Sequence, residues 1–177
     1  MKRISVFLFI VTAGILSIAA YMPLHAQSMP MTEAHIEQIR DNCVDAQSTL
    51  AQLHASDALL RVNRGQLYES ISAKLMTPFN NRVAANKLDG SKLSAQSGAY
   101  EHQLDDFRNS YKAYDETMTK SLKINCVNEP VAFYDSVAAA RAKREEVHQR
   151  TVALQQTIQN YKSQFEVFAS ELRENKQ

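Results

Sequence analysis

Tryptophan is absent from this 177-residue chain, glycine and proline occur four times each, and there are two cysteines. So few turn formers argue against a β-meander, sandwich or barrel. Two cysteines permit one disulfide but no disulfide scaffold or multi-cysteine zinc module. The sequence contains no Gly-rich phosphate loop, His-Glu-x-x-His, Gly-x-Ser-x-Gly, Cys-x-x-Cys or Cys-x-x-Cys-His, and no Asn-x-Ser/Thr glycosylation acceptor. Signatures of phosphoryl transfer, zinc proteolysis, serine-nucleophile chemistry, thiol redox and haem attachment are therefore missing. The chain reads as non-catalytic, with no cofactor.

The N-terminus carries the strongest signal. Lys2 and Arg3 lead into an apolar run over residues 4–20, and Pro23, Leu24, His25 and Ala26 follow. A basic start, an apolar core and a small residue after a helix breaker fit a removable secretory peptide over residues 1–26. Leu24 stands where a small side chain is usual, and residues 4–24 almost suffice to span a bilayer, so an uncleaved membrane anchor is the competing reading. Both readings place the remainder of the chain outside the cytoplasm, secreted, periplasmic or tethered to the outer face of the membrane. Loss of residues 1–26 takes two of the 20 basic residues and none of the 19 acidic ones, leaving 18 against 19 and a formal charge of minus one. That balance gives no pull towards nucleic acid.

What is plentiful is Ala, Gln, Leu, Lys, Glu and Arg, the composition of long helices. Ile36, Ile39, Cys43, Ala46, Leu50, Leu53, Asp57, Leu60, Arg64, Leu67 and Ile71 alternate steps of three and four, the seam of one long helix. Thr32 is its expected N-cap, and Pro78 its expected end. Asp89-Gly90 marks a turn. Leu93, Ser97, Tyr100, Leu104, Phe107, Tyr111, Tyr114 and Met118 form a second seam with aromatic occupants. A third helix starts near Asn128 and Pro130 and holds its period through Val137, Ala140, Arg144, Val147, Thr151, Leu154, Ile158, Tyr161, Phe165, Phe168 and Leu172. The expectation is all-α: one domain over residues 27–177, an elongated antiparallel three-helix coiled-coil-like bundle with helices at about 32–77, 93–122 and 130–175.

The cysteines fit that layout. Residues 43–76 rise about 50 Å and residues 93–122 descend about 44 Å at 1.5 Å per residue, so Cys43 and the loop carrying Cys126 fall at one end. In an oxidising compartment they pair.

Polar residues interrupt the seams. Asp57, Arg64 and Arg144 stand at core positions, flanked by His54, Arg61, Arg141 and His148, at matching depths along the first and third helices. One reading is a register-setting ion pair, Asp57 with Arg61 or with Arg144. The other is a ligand pocket in which Asp57, Arg61, Arg64, Arg144 and His148 receive an anion between helices. A metal site is disfavoured: Glu145 and His148 form a single Glu-x-x-His pair, and the surrounding arginines bring positive charge.

Two functions follow as expectations. The first is an interaction or spacer module of the cell envelope. On the hairpin arithmetic the third helix outruns the first, leaving Phe165, Phe168 and Leu172 uncovered for another envelope protein or for self-association. The second is a small-molecule (anion) binding bundle using the central Arg, Asp and His cluster.

Overall fold

Helix-forming composition and heptad spacing are expressed along almost the whole described chain. The computed structural model describes residues 31–174, and the expected signal or anchor lies outside them. Helices α1 (Glu33–Asp41), α2 (Cys43–Ser70), α3 (Thr77–Ala85), α4 (Ser91–Ser121) and α5 (Pro130–Glu174), with a π-helical segment, Ile71–Met76, make up all but the short connections of the described residues, and no strand occurs among them. No helix among the described residues is long and apolar enough to cross a membrane.

Thr32 caps α1 as its chemistry dictates, its hydroxyl accepting the His35 N–H. The first long helix is not continuous, however. At Asn42 the side-chain amide donates to the Gln38 carbonyl at 2.8 Å, a local bond that competes with the helical ladder. Helix α1 buries no side chain. It is held to the rest of the chain by Ile39, partly buried against Cys43, Cys126 and Phe133, and by Arg40, whose guanidinium donates to the Val127 carbonyl at 3.3 Å.

Pro78 does not end the first helical run, contrary to the sequence expectation. Proline lacks an N–H and its ring collides with the carbonyl four residues back. Here the chain widens into π-helical hydrogen bonding before the proline, with the Thr77 N–H reaching the Ser72 carbonyl. Pro78 thus falls in the first turn of α3, where no intrahelical N–H is required. The Tyr68 carbonyl just before the π-helical segment accepts the buried Tyr100 hydroxyl at 2.9 Å. The run closes with Lys87 at φ 57 and a Leu88 N–H to Val83 carbonyl bond, a Schellman-type end. Gly90, next in the connection, is required by crowding: a Cβ there would come within 2.7 Å of Val83.

Packing follows a consistent order. Cys43 lies with Cys126 and Phe133, Asp57 with Tyr114 and Arg144, Tyr68 with Tyr100, Phe107 and Leu154, and Val83 with Leu93 and Phe168. Partner numbers along α2 and α3 therefore rise on α5 and fall on α4. The Cys43–Cys126 disulfide, with Cα atoms 5.5 Å apart, ties the start of α2 to the α4–α5 connection. Asn125 organises that connection, its side-chain oxygen accepting the N–H groups of Val127 and Asn128.

The continuation through α3 corrects a second expectation. Phe79 packs edge-on against Phe165 and Phe168, and Phe168 is only 9% exposed. Leu172 is partly buried against the same cluster. Of the three side chains expected to be uncovered, Phe165 alone is exposed.

Candidate functional site

The α4 seam is buried as its spacing requires: Leu93, Tyr100, Leu104, Phe107, Tyr111, Tyr114 and Met118 all face the interior. Helix α2 departs from its seam. After Asp57 its next buried side chain is Tyr68, and Leu60 and Leu67 are 47% and 56% exposed. A straight α-helix drifts about 20° per heptad against a 3.5-residue repeat. The inner face of this helical run passes through Asp57 and Tyr68 on α2, Ser72 and Met76 in the π-helical segment and Val83 on α3. It does not pass through Leu60, Arg64 and Leu67. Over residues 58–67 the helix stands off from its neighbours, and a Cβ added at Gly65 would meet no atom within 4 Å.

A cleft of about 350 Å³ opens under this span, between α2 and α5, with α4 as its floor. It brings together all five predicted ligand residues, Asp57, Arg61, Arg64, Arg144 and His148, and adds Arg141. Glu145 stands among them and Phe107, Tyr111 and Tyr114 supply aromatic surface.

These residues divide into a closed hub and an open set. Asp57 is the hub: Oδ2 accepts the Tyr114 hydroxyl and Arg144 Nε, both at 2.7 Å, and Oδ1 accepts Arg144 Nη2 at 3.0 Å. One carboxylate from α2 thereby satisfies groups from α4 and α5 and fixes the register of all three. The Arg144 hydrogen bonds hold the Asp57 carboxyl below the usual carboxylate range, against the opposing effect of burial. Burial and the adjacent Asp57 push the Tyr114 hydroxyl up. Beside the hub His54 stands edge-on to the Tyr114 ring, centroids 6.4 Å apart, with Nε2 2.8 Å from Asp115 Oδ1.

The open set is Arg61, Arg64 and Arg141, none of which forms an ion pair among the described residues. The Arg61 guanidinium lies over the Tyr111 ring, 5.2 Å from its centroid, a cation–π contact. The Tyr111 hydroxyl is fully buried and has no hydrogen-bond partner among the described residues. A tyrosine hydroxyl is a donor at neutral pH, and burial raises its pKa further.

A second cleft of about 510 Å³ lies across the same span, between α2 and α4. It shares Arg61, Phe107 and Tyr111 with the first cleft; Arg108 pairs with Glu69 and Asp105, and Asp115 with His54, while Lys112 and Arg61 form no ion pair among the described residues. Among the described residues no three His, Cys, Asp or Glu side chains converge as a metal site.

Reasoning from sequence missed Tyr111 and Tyr114 as site residues, because a ring at a seam position reads as core. The available signal was the hydroxyl. A core tyrosine needs a partner that a phenylalanine does not, and here one hydroxyl has Asp57 and the other has none.

The chain matches no protein family, no curated protein and no solved structure.

Proposed function

We propose that this chain is an exported, non-catalytic binding protein, an elongated antiparallel three-helix bundle that holds an anion in the cleft beneath α2. In this reading residues 1–26 direct export or anchor the chain, and the remainder works outside the cytoplasm. The Cys43–Cys126 disulfide supports that placement, because such bonds persist in oxidising compartments.

One observation carries the binding reading: Arg61, Arg64 and Arg141 line one cleft without an acidic partner among the described residues. Three guanidinium groups repel each other, and their fixed forks match oxyanions. The test is thermal unfolding of the disulfide-bonded protein against a panel of oxyanions at constant ionic strength. A ligand that binds only the folded state raises the melting temperature by mass action. A flat response across the panel overturns the reading.

A second reading, an interaction or spacer module of the envelope, is favoured by the apolar side chains that α2 turns outwards, Leu59 and Leu67 among them. Several large exposed apolar groups on one helix suit a partner protein or a second copy. Sedimentation equilibrium tests it: association that Leu59→Lys and Leu67→Lys abolish supports the module, and a monomer throughout argues against self-association.

A further inference from the structure

We infer that the ligand of this cleft is a compact organic oxyanion, a carboxylate or phosphate carried on an apolar, preferably aromatic, body. The inference rests on the anion-binding reading and narrows it. Size is the first ground. The cleft of about 350 Å³ lies near the lower end of small-molecule pockets, which run from about 300 to 1,000 Å³. A bare phosphate leaves most of it unfilled, and a two-tailed lipid is too large.

Lining chemistry is the second ground. Arg61, Arg64 and Arg141 provide the forks for an oxyanion, while Phe107 and the Tyr111 ring, with Leu60 and Val147, provide apolar surface in the same cleft. An inorganic ion uses the first set and strands the second against water. A ligand with a head and a ring uses both.

The third ground is the Tyr111 hydroxyl. It is a buried donor with no partner among the described residues, on a side chain only 6% exposed that lines the cleft. Buried hydroxyls without partners are uncommon and costly, and an oxyanion seated against Arg61 supplies an acceptor once the side chains that cover the hydroxyl shift to admit it.

Charge sets the last bound. Four arginines face Asp57 and Glu145 in this cleft, a formal surplus of two positive charges. Asp57 is neutralised by Arg144 and does not repel the ligand. One or two negative charges on the ligand balance the remainder.

Calorimetric titration of the disulfide-bonded protein with phenyl phosphate, inorganic phosphate and benzyl alcohol, at constant ionic strength, separates the possibilities. The expected result is phenyl phosphate binding at least tenfold tighter than inorganic phosphate, with no detectable benzyl alcohol binding. Arg64→Met with Arg141→Met weakens phenyl phosphate at least tenfold, and Tyr111→Phe weakens it several-fold. Neither arginine has an ion-pair partner to lose, and an unchanged far-ultraviolet circular dichroism spectrum confirms folding. Equal affinity for the two phosphates overturns the apolar body while leaving the anion reading intact. Binding of neither phosphate, or of benzyl alcohol as tightly as phenyl phosphate, overturns both. Co-sedimentation with phosphatidylglycerol vesicles overturns the compact ligand in favour of a lipid surface.

Discussion

The ends of the helical unit and its middle are made from the same kinds of helix, yet they solve different problems. At the Cys43 end a disulfide, Phe133 and neighbouring aliphatic side chains close the core, and beyond the cleft Tyr68, Met76, Tyr100 and Leu154 close it again. Between them α2 contributes no buried side chain from residues 58–67, and the gap is lined by arginines. Anchored ends allow an unfilled middle. The packing on either side supplies the stability that a charged cleft cannot, since unpaired like charges and a buried unpartnered hydroxyl both work against folding.

That contrast is open to attack by mutation. Cys43→Ser with Cys126→Ser removes the link at one end, across 83 residues of sequence. By the chain-entropy model it costs about 4 kcal/mol, to be measured by urea unfolding. Leu154→Ala, at a fully buried position, costs about 3 kcal/mol. Leu60→Ala, on a half-exposed seam position, costs less than about 0.5 kcal/mol. Equal costs for the two leucines would break the distinction between end and middle.

Arg144→Ala leaves the Asp57 carboxylate, with a side chain 10% exposed, without its main partner. Arg144 is itself half exposed, so the loss is discounted to about 2 kcal/mol at neutral pH. The pH dependence has a definite sign. Asp57 is held below the ordinary carboxylate range in the folded protein. Its pairing thus contributes fully above the unfolded pKa and is lost as pH falls through the folded one. The stability difference between wild type and Arg144→Ala is therefore constant at neutral pH and shrinks below about pH 4. The smallest effect belongs to Arg64→Met with Arg141→Met. In the same urea assay it changes stability by less than about 0.5 kcal/mol, or raises it, because these side chains repel one another and pair with nothing among the described residues.

Much of the architecture was legible in the sequence, and the exceptions share a cause. The α4 seam emerged because Leu93, Tyr100, Leu104 and their successors keep a strict three-four step that the packed helix also keeps. Cys43 and Cys126 were paired from helix rise together with the oxidising compartment that the N-terminal segment implies. The α2 seam misled after Asp57, because a 3.5-residue pattern on a helix that stays near 3.6 rotates out of the core, and periodicity alone does not say which repeat the backbone follows. Pro78 misled because local hydrogen-bonding rules stop a helix there, while a widened turn upstream absorbs the missing donor. Phe168 was consequently assigned to an uncovered end that α3 covers. At the site, the position of the charged residues was readable from depth along the helices. The division between paired Arg144 and unpaired Arg61, Arg64 and Arg141 was not, because it depends on the rotation of α2.

Hydrogen exchange of the disulfide-bonded protein, with and without saturating phenyl phosphate, tests the central claim directly. A middle bounded by packed ends, and occupied by an amphipathic oxyanion, predicts fast exchange of α2 amides over residues 58–67 relative to those flanking Leu53 and Tyr68. It also predicts slowing of that span when phenyl phosphate is present. Uniform protection along α2, unchanged by phenyl phosphate, would contradict it.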